Sequence, residues 1–420
     1  MASAEGMVAI VRVTAGSDAR HEALPDPVLF VGIDCYIGSR MLPFKVRISP
    51  AKKEHLRRSR VAFVALYLLV IPSLSQSQSA PQRTSPATLR EAGKARNVIL
   101  GAAATPSHLD EPEYALTLAQ QFRQLEPENQ MKFAVVHPRP GSDASAYDFV
   151  PADRLVAFAN QHDMLVRGHC LVWHQQVAEW VRSGLASQTY DSHALSDILQ
   201  NHISTVMQHY AGKVWAWDVV NEAFNNNGTL RSTVWYDSPG IGFAGKGTGY
   251  IEQSFRWAHA ADPAAKLFYN DYDAEAINAK SDAIYAMAKD FLTRGVPLDG
   301  IGFQAHLNLR FNDPRMMASF AANLKRFSDL GLEVHITELD VALDRNDALR
   351  LAAQAAVYSN VTAICLHTRS CTVLQTWGFT DKYSWIPGFS KGRQGWALPY
   401  DATYKPKPAY DRMLKVLRSK

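Results

Sequence analysis

The chain has 420 residues, 47% of them hydrophobic and 20% charged, with a formal net charge of +4. That length holds one large domain of ~250–350 residues or two smaller ones. The charge is too small, and no Lys/Arg block interleaves with aromatics, so nucleic acid is excluded as the expected partner.

Residues 1–80 read as lying outside the fold. Lys52, Lys53, Arg57, Arg58 and Arg60 precede an apolar run from Val61 to Ile71, followed by the small, polar stretch Pro72–Ala80. This is the charged, apolar, small-residue order of a secretory signal peptide, with cleavage fitting after Ser77 or Ser79. The run is shorter than the ~20 apolar residues of a membrane span; an uncleaved anchor is the alternative. Met41 opens a signal sequence of normal form. The expected division is therefore a non-native extension over 1–40, a signal peptide over 41–79, a polar linker over 80–89 and one folded domain over 90–420. The mature protein would be exported, to the extracellular space or periplasm, and would hold no membrane contact after cleavage. A native precursor whose N-terminal sequence begins before Met41 would overturn this.

Strand-like and helix-like stretches then alternate to the C-terminus. Apolar strands are expected at 98–104, 130–136, 164–172, 214–220, 266–270, 300–305, 333–338 and 372–377. Helices are expected at 111–125, 151–162, 192–210, 249–260, 277–294, 314–329, 347–367 and 406–418. Eight alternations predict a (β/α)8 TIM barrel of the α/β class. The alternative is an open doubly wound sheet. Neither Gly-x-Gly-x-x-Gly after the first strand nor a phosphate loop is present, which argues against a nucleotide cofactor. The loop 378–404 is rich in Gly, Pro and aromatics. In a barrel, loops after the strands build the active face, which places Trp377, Trp385 and Trp396 near its mouth.

Several polar clusters fall at expected strand ends. Pro127-Glu128-Asn129-Gln130-Met131-Lys132, read at the second strand, gathers a carboxylate, an amide and an ammonium suited to sugar hydroxyls; a surface ion pair between Glu128 and Lys132 is the simpler alternative. Arg167-Gly168-His169-Cys170-Leu171-Val172-Trp173-His174 ends the third strand and is followed by Gln175 and Gln176. Gln304 and His306 are two apart and share a strand face. Glu338 and Asp340 are likewise two apart, so Asp340 can orient His306 and His306 can hold Glu338 ionised.

The two strand-end glutamates carry most weight. Glu222 closes Trp217-Asp218-Val219-Val220-Asn221-Glu222, and Glu338 lies in Val334-His335-Ile336-Thr337-Glu338-Leu339-Asp340. Facing carboxylates are what glycoside cleavage needs: one protonates the leaving oxygen, the other attacks or activates water. Asn221 can hold the sugar 2-hydroxyl, and Glu222 must be protonated to act as the acid. A salt bridge at each strand end is the plainer reading of either motif alone. Of the four cysteines, Cys35 falls in the discarded segment, Cys170 reads as a buried free thiol, and Cys365 and Cys371 can form a short-loop disulfide in an exported protein. No ligand cluster for a structural metal is evident.

Taken together, residues from about 90 to 418 resemble glycoside hydrolase family 10, the retaining endo-β-1,4-xylanases. The motifs that carry the resemblance recur in the family's order: Glu-Asn-x-Met-Lys, Arg-Gly-His-x-Leu-Val-Trp-His, Trp-Asp-Val-Val-Asn-Glu, Gln-x-His, Thr-Glu-Leu-Asp and the late Trp-Gly. The resemblance implies xylan and xylo-oligosaccharides as substrates, no cofactor, and a monomer. It implies Glu222 as acid/base and Glu338 as nucleophile. Glu128, Asn129, Lys132, His169, Trp173, Gln176 and Asn221 match the residues that bind sugars on the non-reducing side of the cut. Trp377 and Trp385 match the floor and lid around the reacting sugar, Gln304, His306 and Asp340 the supporting network, Tyr272 the leaving-group side, and Cys365–Cys371 the family's short disulfide. Cys170 stands where Thr is frequent, and Asp273 where Asn is frequent. The rival substrates on the same barrel are glucose-based chains or a plant glycoside.

Overall fold

In the computed structural model, strands β1 (Ile99–Ala104), β2 (Gln124–Pro127), β3 (Leu165–Val172), β4 (Ala216–Asn221), β5 (Lys266–Asp271), β6 (Gly300–Phe303), β7 (Glu333–Ala342) and β8 (Cys371–Thr376) pair in parallel, each with the next. β8 pairs back onto β1, Val373 opposite Ile99, which closes the barrel. The described residues are 88–419 and three short N-terminal strands, Ala9–Ile10, Phe30–Ile37 and Arg40–Arg47, which pair antiparallel in a separate unit. The stretch 48–79, which contains most of the expected signal peptide, and the linker residues 80–87 lie outside them. No helix among the described residues is long and apolar enough to cross a membrane.

Helices α1 (Leu89–Ala95), α2 (Pro112–Gln121), α3 (Val150–Gln161), α4 (Ser192–Tyr210), α5 (Gly249–Ala261), α6 (Ala279–Thr293), α7 (Pro314–Asp329), α8 (Ala348–His367) and α9 (Pro408–Arg418) accompany the strands. The side chains of Asp191, Asn278, Asp313 and Asp347 accept first-turn backbone N–H groups of α4, α6, α7 and α8, which explains where those helices start. The apolar core is a ring between barrel and helices. Trp217 of β4 meets Tyr210 of α4 at 6.1 Å between ring centroids, and Phe303 of β6 meets Phe327 of α7 at 5.5 Å. Period-two alternation turns the other set of strand residues inward, and that set is polar: Gln124, Glu126, Arg167, Asp218, His335 and Gln375 are all fully buried.

The second strand corrects the expectation at 130–136. It lies at Gln124–Pro127, α2 stops at Gln121, and Phe133–Val136 is a short helix. The apolar run around Met131 and Phe133 packs on the outer core. The strand itself is hidden in the sequence because Gln124 and Glu126 point into the polar interior. Asn129 and Lys132 therefore project from the loop after β2, not from the strand. The short helices Leu89–Ala95 and Glu179–Ala186 were not among the expected elements; the former begins at the last residue of the expected linker, and the capping box of Thr88 with Glu91 was its signal.

Stave six has a break. Gly300–Phe303 pairs with β7, then Gln304 and Ala305 leave the strand conformation, and His306–Asn308 resumes pairing opposite Asp340–Ala342. Cys365 and Cys371 are joined by a disulfide between the end of α8 and the start of β8. Closing so short a loop removes little unfolded-state entropy, about 2 kcal/mol. Replacing both cysteines with alanine is expected to lower unfolding free energy by that order and leave kcat unchanged, as denaturant titration and steady-state kinetics would measure.

Candidate active site

The floor of the cleft is a buried charge cluster. The Arg167 guanidinium donates to both oxygens of Asp218, at 3.0 Å from Nε and by a second, shorter bond from Nη2. Its Nη1 donates to His335 Nδ1 at 3.0 Å, and burial pushes the His335 imidazole down to about 4, so this ring is neutral and can accept. Glu126 lies 3.5 Å from Arg167 Nε and accepts from Gln375. Burial, then the Asp218 charge, push the Glu126 carboxyl well above the usual range. His169 Nδ1 sits 3.0 Å from Asp218 and 3.4 Å from Glu126, which fixes the ring facing the cleft.

Glu338 stands above this floor at the upper part of β7. Oε1 accepts from Asn270 Nδ2 at 2.8 Å, and Oε2 lies 3.0 Å from His306 Nε2. The other His306 nitrogen lies 2.9 Å from Asp340 Oδ2, which also accepts the Trp385 indole N–H at 2.9 Å. Both partners of the ring are acceptors, so both ring nitrogens must carry protons. Burial alone would lower the His306 value, but Asp340 and Glu338 hold it well above the ordinary histidine value. For Glu338, burial would raise the value; the His306 hydrogen bond, the neighbouring histidine charges and the Asn270 amide outweigh it and hold the carboxyl below its usual value.

These shifts give a stability signature. The lowered Glu338 value adds stability above its unfolded value of ~4.3, lost on acidification; the raised His306 value adds stability that is complete below ~6.5 and lost as pH rises through the folded value. The thermal-stability gap between wild type and His306→Phe should therefore be widest at about pH 4.5–6.5 and narrow on either side. A gap constant from acid to alkaline pH would contradict a doubly protonated His306.

Glu222 follows β4 in the left-handed region, with φ of +58°. The turn is held from outside: Arg231 Nε donates to the Glu222 carbonyl at 2.9 Å, and the Ala223 N–H donates to Tyr269 Oη at 2.8 Å. The carboxylate accepts from Trp173 Nε1 at 2.9 Å on Oε2, and from Gln304 Nε2 at 3.0 Å and Asn221 Nδ2 at 3.2 Å on Oε1. Asn221 Oδ1 accepts from both Gln304 and Asn270, at 3.2 and 2.9 Å. Side-chain amides thus link Glu222 to Glu338. Gly302 makes room for this link: a Cβ there would lie 2.3 Å from Asn270 Oδ1.

On one side of the pair, Lys132 Nζ sits 4.7 Å from the Trp173 ring centroid and 5.4 Å from that of Trp377, and donates to Asn129 Oδ1 at 3.2 Å. Gln176 Nε2 donates to the same oxygen at 2.9 Å, and Glu128 accepts the Thr105 hydroxyl at 3.1 Å. Trp377 meets His169 and His306 edge-on, and Trp385 meets His306 at 5.0 Å. On the other side, Tyr272 Oη accepts from Arg231 at 2.8 Å, and Lys280 Nζ, paired with Asp271 at 2.6 Å, lies 3.6 Å from the Tyr272 ring centroid. One ring face is covered by that cation. Trp396 lies near the mouth but outside the contacts of the carboxylate pair: Gln354 donates to its carbonyl and to that of Val341, just past Asp340, and it lines a separate cleft with Asn346 and Asp381.

Sequence reasoning missed Asn270, Arg231 and the Arg167–Asp218–Glu126 floor. Asn270 had a usable signal, since it stands one residue before the end of β5, level with Asn221 at the end of β4. Glu126, His169 and Glu338 bring donor atoms within 4.8 Å of one another, a spacing a metal ion could bridge. Both Glu338 oxygens and His169 Nδ1 are already engaged by protein partners.

A closed parallel barrel with two buried carboxylates at the C-terminal ends of β4 and β7, flanked by tryptophans, has the build of a barrel glycosidase. The model of Glycosyl hydrolase family 10 matches residues 88–416, and the chain belongs to that family. It is 41% identical to endo-1,4-beta-xylanase B of Thermotoga neapolitana, over 85% of this chain and 97% of that protein. It is 38% identical to endo-1,4-beta-xylanase C of Phanerodontia chrysosporium, over 78% of each chain. Among solved structures, xylanase 10B of Thermotoga petrophila in complex with xylobiose superposes with a TM-score of 0.73 at 42% identity, covering 80% of this chain and 98% of that one.

Proposed function

We propose that this glycoside hydrolase is an exported endo-1,4-β-xylanase that cleaves internal xylosidic bonds with retention, through a covalent glycosyl-enzyme. The observation that carries the mechanism is the difference between the two carboxylates. Glu338 is held ionised by a protonated His306 and by Asn270, as a nucleophile requires. Glu222 lies across the amide link from it, and Arg231 joins its carbonyl to the hydroxyl of Tyr272, on the side where a leaving group would sit.

In the first step Glu338 attacks the anomeric carbon while Glu222 gives its proton to the glycosidic oxygen. In the second, Glu222 takes a proton from water, which attacks the same carbon and frees Glu338. Retention calls for carboxyl groups ~5–5.5 Å apart. Lys132, Asn129, Glu128, His169 and Gln176 present donors and acceptors to the glycone hydroxyls, and Trp173, Trp377 and Trp385 wall the ring. These walls are fixed: Gln176 bonds Asn129, Trp173 bonds Glu222 and Trp385 bonds Asp340. A hydroxymethyl group pressed against them would leave a hydroxyl unpaired, at ~1–3 kcal/mol, which favours xylose over glucose.

The reading of 41–79 as a signal peptide belongs to this proposal, and the Cys365–Cys371 disulfide suits an oxidising compartment. Proton NMR of residues 78–420 acting on xylohexaose tests the whole reading. Internal cleavage with new reducing ends appearing first as the β-anomer is the expected result. First appearance of the α-anomer would replace retention by inversion, and binding without cleavage would remove the catalytic reading.

A further inference from the structure

A single residue, Ala305, separates Gln304, whose amide reaches Glu222, from His306, whose imidazole reaches Glu338. It occupies the break in stave six with φ of +61°, a left-handed conformation that a residue carrying Cβ enters at a cost. Ala305 is fully buried, so its N–H cannot turn to water. That N–H donates to Oε1 of Glu275 at 2.8 Å.

Glu275 lies on the loop after β5, beyond Tyr272, and is 2% exposed. None of the ion pairs among the described residues includes it. The groups around it are Asp273 on its own loop, His306 from stave six, and the neutral Asn323 from α7. Burial pushes its carboxyl up to about 7, against the opposing pull of its own and the Ala305 backbone amides. Its backbone is anchored in turn. Asn323 Nδ2 donates to the carbonyls of Ala274 and Glu275 at 2.7 and 2.8 Å, and Arg326 Nε holds Asn323 Oδ1 at 2.8 Å. A buried carboxyl outside any ion pair is expensive unless it satisfies something that nothing else can reach.

We propose that Glu275 is a positioning residue for both reacting carboxylates: it pins the left-handed Ala305 link and thereby sets Gln304 against Glu222 and His306 against Glu338. The proposal rests on the reading of Glu222 and Glu338 as the catalytic pair. A group that only stabilised the fold would act on unfolding. A group that sets this link acts on kcat for both steps, because both supporting side chains flank the same residue, Ala305.

The test compares Glu275→Ala, Glu275→Asp and Glu275→Gln on xylohexaose and on an activated aryl xylobioside, with Tm measured for each. Displacing catalytic groups by about 1 Å costs on the order of 10²-fold. Glu275→Ala withdraws the acceptor and Glu275→Asp shortens its reach, so kcat should fall ~10–100-fold on both substrates, with KM shifting less than about threefold. Glu275→Gln, which can still accept the Ala305 N–H, should recover most of the kcat lost in the alanine variant. Ala305→Gly adopts positive φ freely, so placing it in the Glu275→Ala background should restore part of the loss. The Asp variant carries the test if the Ala variant fails to fold. Wild-type kcat in Glu275→Asp, a loss confined to KM, or a lowered Tm with unchanged kcat would overturn the proposal. Failure of the underlying site reading would show separately, as Glu338→Ala or Glu222→Ala retaining wild-type kinetics.

Discussion

Glu338→Ala is expected to lose hydrolysis of xylan and aryl glycosides by ~10⁵-fold or more in kcat, the scale seen when a covalent nucleophile is removed. That corresponds to ~7 kcal/mol of barrier. The cause is local. The anomeric carbon loses the only carboxylate held ionised beneath it, and no neighbour can replace it: Asp340 is turned to His306 and Trp385, and Asp218 to Arg167 and His169. Substrate binding should change far less, because the glycone contacts on Lys132, Asn129 and Gln176 remain. The space left by the side chain would admit a small anion. Azide should restore slow cleavage of an activated aryl xylobioside and give the α-glycosyl azide, the inverted product. Wild-type kinetics in this variant would remove Glu338 from the mechanism.

Glu222→Ala should divide substrates by leaving group. Xylohexaose needs its leaving oxygen protonated, and loss of a positioned acid costs ~10²–10⁴-fold. An aryl xylobioside with an acidic phenol needs little protonation, so its first step should survive, while the second step slows for want of a base. The glycosyl-enzyme then accumulates, KM falls with kcat, and a burst of phenol is expected. Azide needs no base to attack, so it should raise turnover and yield the β-glycosyl azide. The opposite anomers from the two variants separate the two roles in one product analysis. Equal losses on both substrates, without azide response, would mean that Glu222 does not act as acid and base.

Much of this arrangement is legible in the amino-acid sequence. Glu222 and Glu338 each close an apolar run, and a strand end in a barrel leaves its last side chains at the mouth. The Asp340–His306–Glu338 order follows from residues two apart sharing a strand face, and the geometry places the three within hydrogen-bond distance. The second strand is not legible. Gln124-Leu125-Glu126-Pro127 reads as a helix end and the loop after it, because its inward residues are polar, paired with Gln375 and Arg167 from strands distant in sequence. Met131 and Phe133 look like a strand because they are apolar, yet they pack on the outer core. Burial in a polar interior inverts the usual sign of the hydrophobic signal.

The sequence by itself determined which chemical groups stand at which strand ends, since strand period and the run of apolar residues are local properties. Only the tertiary structure decided which of those groups meet. Asn270 touches Glu338 and Asn221 because β4, β5 and β7 curve round one axis. Glu275 reaches the amide of Ala305, thirty residues on, because stave six breaks there. Closure of the barrel and the left-handed turns at Glu222 and Ala305 are set by the simultaneous pairing of eight strands. No segment encodes them alone, because the backbone strain at each is balanced by hydrogen bonds from other staves.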